Sequence, residues 1–142
     1  MAAITTADIV TWVKARYSSR ILIDLTNQDN GLASSIVDAV LDAAAEDGLE
    51  LFDSLVGGEA DDDHNHDKGA CKSLAMVYLY QYAENSTYMN FHLTAAMQYM
   101  MVALKYRWSI DPIEPTNVEQ NEQEFTTRAA MVQNLPSSFT KT

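Results

Sequence analysis

The chain has one cysteine, Cys71, in 142 residues, so no disulfide can form within it. That residue sits in GACKSLAMVYLY, a setting that suits a small buried or half-buried thiol better than a reactive one. Basic residues are also scarce, with nine Lys and Arg against twenty Asp and Glu. Between Ile21 and Asp67 there are thirteen acids and no Lys or Arg. This excludes a grip on DNA by neutralised phosphates, which needs a basic stripe. Two roles remain for the acid: it keeps a surface soluble, or it faces a polyanion that must pass without sticking. The longest apolar region, Phe91 to Leu104, is interrupted by His92, Thr94 and Gln98, and is too short and too polar to span a bilayer. No charged segment precedes an apolar stretch at the start, so synthesis in the cytoplasm without a secretory signal is expected. Gly-x-Ser-x-Gly, Walker and Gly-x-Gly-x-x-Gly motifs are missing, and with them the common nucleophile and phosphate-binding turns.

What is present is apolar periodicity. Hydrophobic residues make up 47% of the chain, enough for a folded core in a chain of one-domain length. Thr5 and Asp8 have capping-box spacing at the head of ITTADIVTWVKARYSS, where Ile9, Trp12, Val13 and Tyr17 share a face. Arg20 to Leu25 reads as a single helical turn or a strand-like piece, and TNQDNG as a turn at Asn30-Gly31. Ser34 or Ser35, with Asp38, opens a long helix that Gly48 weakens and Gly57-Gly58 ends. A further helix follows through ACKSLAMVYLYQYAE. The last, from Tyr88 to about Trp108, is apolar nearly all round and is therefore expected at the centre, its methionines filling gaps.

Composition changes at Asp111, beyond which all three prolines lie. Pro112 and Pro115 predict an extended stretch. Phe125, Met131, Val132, Leu135 and Phe139 are too sparse for a second core and are read as anchors of an arm on a neighbouring subunit. The expected architecture is all-α: a bundle of about four main helices over 1–110, with an extended C-terminal arm over 111–142.

GGEADDDHNHDKG, residues 57–69, is the densest concentration of candidate ligands. Read as a calcium loop from Asp61, it offers Asp61, Asp63 and Asn65, but His66 takes the glycine position and Lys72 the final glutamate position. The register from Asp63 fails in the same way, at Lys68 and Leu74. His64 and His66 are two apart, and helical zinc pairs need three or four. Asp61, Asp63, His64 and His66 thus promise adventitious divalent binding at most, and the segment reads as a solvated, mobile loop held extended by its own charge. DLTNQDNG has its glycine one place early for calcium. Cys71 lacks a local activator, and His92, inside an apolar helix, reads as structural. The paired carboxylates Asp38, Asp42, Glu46 and Asp53 lie off the apolar stripe, where water keeps both members of a pair ionised. No catalytic residue and no cofactor are assigned, and an enzyme is not expected.

TTADIVTWV, ILIDLTNQDNG leading into SSIVDAVLDAAAEDGLELFDSLVGG, and CKSLAMVYLYQYAE resemble, in their order, the small head–tail connector (adaptor, or head-completion) proteins of tailed bacteriophages. The likeness covers roughly residues 4 to 108. The loop EADDDHNHDKG stands where that family has a proline-bearing loop, and the segment beyond Pro112 has no counterpart there. The resemblance implies a homo-oligomeric ring beneath the portal, meeting the portal protein on one side and a tail-side completion or terminator protein on the other. DNA would pass through without specific binding, and the protein would reside at the head–tail junction of the virion. Asp38, Asp42, Glu46 and Asp53 would then face the channel and repel the duplex. On this reading, removing residues after Ile113 leaves the bundle folded and abolishes assembly. Two rivals stand beside it: an acidic DNA mimic that binds a basic partner, and a metal-dependent helical enzyme using the Asp/His loop.

Overall fold

The computed structural model describes residues 2–29, 31–108, 118–135 and 139, with the backbone alone at 118 and 119. Asn30 of the expected turn, Pro112 and Pro115, and the expected boundary at 110/111 lie outside the described residues. Among those described, the chain forms six helices: α1 (Thr6–Arg16), α2 (Ser19–Thr26), α3 (Asp38–Val56), α4 (Asn65–Tyr82), α5 (Ser86–Arg107) and α6 (Val118–Gln133). The all-α bundle is as expected, and α3, α4 and α5 form its body.

The helix starts follow local chemistry in part. Thr5 and Asp8 form the capping box reciprocally: Thr5 Oγ1 accepts from the Asp8 N–H at 3.2 Å, and the Thr5 N–H donates to Asp8 Oδ2 at 3.0 Å. The ambiguous segment at Arg20 is helix α2, capped by Ser18. The box expected from Ser35 and Asp38 does not form. Helix α3 begins at Asp38 behind Val37, which offers no side-chain cap. The backbone there is tied across the turn instead, as the Val37 N–H donates to Thr26 Oγ1 at 3.0 Å and Asn27 Nδ2 donates to the Ser35 carbonyl at 2.8 Å.

The central helix is α4, not α5. Gly69, Ala70, Cys71 and the run Ser73–Val77 are all buried, with Leu79 beyond them. Its small side chains let α3 and α5 approach closely from two sides. At Gly48 of α3, a Cβ would lie 3.0 Å from the Ala75 backbone nitrogen, so the glycine marks a close helix crossing rather than a weak point. Buried Met76, Met89 and Met100 fill the core, as the sequence suggested. Helix α5 is covered on one side only: Tyr88, Phe91, Tyr99, Val102 and Tyr106 are exposed.

The C-terminal segment departs from the expected extended arm over 118–133, which is helical and seats on α3 and α5 of the same chain. Val132 and Leu135 are buried there, Phe125 packs partly buried against the core, and Phe139 meets Tyr78 edge-on at 5.8 Å. Met131 is exposed. Five large apolar residues in fifteen positions are too few for a core of their own, but with Ala129 they suffice to complete one that other helices supply.

Candidate functional site

The C-terminus of α3 is where the loop, α4, α5 and α6 converge. A helix leaves its last four carbonyls without intrahelical partners, and here all four are satisfied. Gly57, at φ 81°, turns its N–H back to the Asp53 carbonyl at 3.0 Å. Arg128 of α6 donates to the carbonyls of Ser54 and Leu55 at 2.9 and 3.3 Å. Trp108 Nε1 donates to the Val56 carbonyl at 2.9 Å. A cation at this end of a helix is also favoured by the helix dipole. A Cβ at Gly57 would collide with the Arg128 guanidinium at 2.4 Å, so glycine serves both the turn and the docking of α6.

The loop that follows is not the mobile, extended segment its charge suggested. The Ile4 N–H donates to the Ala60 carbonyl at 2.8 Å and the Asp62 N–H to the Ala2 carbonyl at 3.0 Å, with a single antiparallel bridge between Ala3 and Asp61. Helix α4 begins inside the acidic run, at Asn65. Its third residue, Asp67, is the one fully buried carboxylate among the described residues. Arg107, forty residues on, holds it in a two-pronged ion pair: Nη1 to Oδ1 at 3.1 Å and Nη2 to Oδ2 at 2.6 Å. The Asp61 N–H donates to Oδ2 at 2.9 Å, and Arg107 Nη2 also reaches the Glu59 carbonyl at 2.7 Å. Its guanidinium lies 5.3 Å from the Phe52 ring. Burial of a charge is tolerable only with partners of this quality. The loop is thereby clamped to the open end of the α4–α5 hairpin, where α4 starts and α5 finishes.

The structure brings some of the candidate ligands together and separates others. Oxygens of Asp61, Asp62 and Asp63 gather within 4.8 Å of one another, and neither histidine belongs to that group. Asp61 Oδ1 accepts from the Asp63 N–H at 2.9 Å and Asp62 Oδ1 from the Ala2 N–H at 3.2 Å, so the cluster shapes a turn. His64 and His66 stack on each other at 5.1 Å, and both rings meet Tyr106 at a tilt, at 4.4 and 5.6 Å. Burial pushes the His66 pKa down, against the pull of neighbouring Asp67, with His64 and Arg107 adding to the depression.

The remaining candidates fall on the surface or in the core. Asp38, Asp42, Glu46 and Asp53 of α3 are all exposed, and at 100° per residue they occupy an arc of about 80°. Asp38 pairs with Lys14 at 3.0 Å. Partial desolvation of its carboxyl, despite the exposure of the residue, raises the Asp53 pKa, opposed by the Ala60 backbone N–H and by Arg107, while Glu59 and Asp67 reinforce the rise. Cys71 is fully buried, and burial pushes its thiol far above the ordinary range, with Asp67 and Asp53 adding to it. A thiol held in its neutral form is a poor nucleophile. His92 is buried in a stack with Tyr80 at 5.4 Å and edge-on to Tyr17 at 5.8 Å.

Sequence reasoning missed the Asp67–Arg107 pair and the capping role of Arg128. A signal for the first was present. Arg107 ends a helix that has no acid at all, so it had to look elsewhere for its counterion. Comparison with protein-family models, curated proteins and solved structures finds no match for this chain.

Proposed function

We propose that this chain is a structural connector at the head–tail junction of a tailed phage. Copies form a ring below the portal that lengthens the DNA channel, and a tail-side completion or terminator protein caps it. The observation that carries the reading is the acidic face of α3. Four exposed carboxylates share one arc of a rigid helix, and that helix is braced at its C-terminus by Trp108, just past α5, and Arg128 of α6. A fixed row of negative charge repels a polyphosphate backbone over about a Debye length, ~8 Å at physiological salt. It therefore suits a wall past which DNA must slide. The segment order resembling the connector family supports the same assignment.

The test is to add the purified protein to DNA-filled heads that carry the portal but lack this protein, and to image the vertex by electron microscopy. The expected result is a ring of added density coaxial with the portal. Failure to bind the portal, together with capture of a basic nucleic-acid-binding protein in a steeply salt-dependent complex, would favour the DNA-mimic reading instead.

A further inference from the structure

Helix α5 is the one described helix without an acid in an acid-rich molecule. From Ser86 to Arg107 it has no Asp or Glu, in a chain of net charge −11. Its outer face exposes Tyr88, Phe91, Tyr99, Val102 and Tyr106, with Phe91 67% exposed. At 100° and 1.5 Å per residue, these five fall within an arc of about 80° and run about 27 Å along the axis. Scattered apolar residues on a surface are ordinary, whereas a contiguous row marks a contact face. Cations border it: Arg16 and Lys72 line the same hollow as Phe91 and Tyr99, and Lys105 lies beside Val102.

A second apolar face has the opposite border. Between α3 and α4 runs an open groove of about 460 Å³ lined by Val40, Ala43, Tyr78 and Tyr82, with Asp47 at its edge. It continues through Tyr78 and Gln81 into a hollow bounded by Leu51, Met131 and Phe139. Asp47 and Glu50 act on Tyr78, adding to the burial that raises its phenol above the ordinary range. No Lys or Arg lines either hollow among the described residues. The two faces share no residue. They lie on different flanks of the molecule, because α4 packs between α3 and α5.

We propose that the outer face of α5 in one copy docks into the α3–α4 groove of a second copy, in a head-to-tail contact. The charges select this pairing. Stripe on stripe would bring Arg16, Lys72 and Lys105 of two copies together, and groove on groove would do the same with Asp47 and Glu50. Stripe in groove sets opposite signs on either side of an apolar seam, which is the complementarity that fixes partner and register. A contact between unlike faces repeats from copy to copy, closing as a ring or continuing as a filament. The proposal deepens the connector reading by naming the subunit interface, and it rests on that reading only for closure into a ring.

Two blocked variants test it. Phe91→Glu with Val102→Glu closes the stripe and leaves the groove intact, whereas Ala43→Arg with Asp47→Arg closes the groove and leaves the stripe. All four positions are exposed, so helix content by circular dichroism should match the parent protein. In analytical ultracentrifugation the parent should sediment as an oligomer and each variant alone as a monomer. An equimolar mixture should give a dimer that grows no further, since each partner retains one usable face. Three results would overturn the contact: a parent that stays monomeric, variants that assemble like the parent, or a mixture that stays monomeric. A variant that dimerises by itself would overturn it too, by showing a like-on-like contact. Portal binding separates the two ideas. Portal rings formed by both variants would leave the connector standing without this interface. A mixed dimer from a protein that ignores the portal would leave the interface standing without the connector.

Discussion

At the scale of single residues, stability is concentrated where a charge had to be buried. Asp67 has no access to solvent and Arg107 little, so losing one partner strands the other. Arg107→Met is expected to cost about 3–5 kcal/mol of folding stability, read from urea denaturation. Asp67→Asn in the same background should add much less than it does alone, because the two form one unit. His92 offers a second test. Burial lowers its pKa from 6.5, and it is enclosed by Tyr17 at the end of α1, Tyr80 of α4 and Phe91 of its own helix. The unfolded chain therefore takes up the proton first. Stability from this site is complete above about pH 6.5. It declines as pH falls from there toward the lower folded value, beneath which the ring is charged in both states. His92→Phe should flatten that part of the melting temperature against pH, while His66, also lowered by burial, is expected to contribute a slope of the same sign.

At the scale of elements, the decisive fact is that α4, not α5, is surrounded. Gly48→Ala would gain up to about 1 kcal/mol of helix propensity on an exposed helix. Here the new Cβ meets the backbone of Leu74 and Ala75 at 3.0–3.2 Å, so a net loss of about 1–2 kcal/mol is expected by the same denaturation assay. Helix α6 gives the companion test. Leu135→Ala should cost about 2–3 kcal/mol, and removal of everything after Ile113 should lower the melting temperature measurably. That revises the expectation from sequence of an intact bundle, because Val132 and Leu135 belong to the core of the same chain. A truncated protein that melts like the parent would show that α6 contributes nothing to the fold.

At the scale of the whole molecule, charge is unevenly spread: α3 carries an arc of exposed acid and α5 carries none. Asp42→Lys with Glu46→Lys places two cations at the middle of the acidic face. This protein should retain duplex DNA in a gel-shift at 50 mM salt where the parent does not, and lose it as salt rises. Equal mobility of DNA with both proteins would mean that the face has no bearing on a passing duplex.

The residues themselves determined the helical class, the capping box at Thr5, the stop at Gly57, the exposed arc on α3 and the burial of Cys71. Each depends on neighbours within about two turns of the chain, and local period and capping chemistry express such neighbours directly. The tertiary structure alone decided which apolar helix would be central, where Asp67 would find its counterion, and that the C-terminal segment would cap α3. Apolar periodicity counts the faces a helix could bury, but only packing against small residues on α4 settles which of them is covered. The pairs that clamp the loop and seat α6 join residues forty to seventy-four positions apart, and no local pattern brings those together.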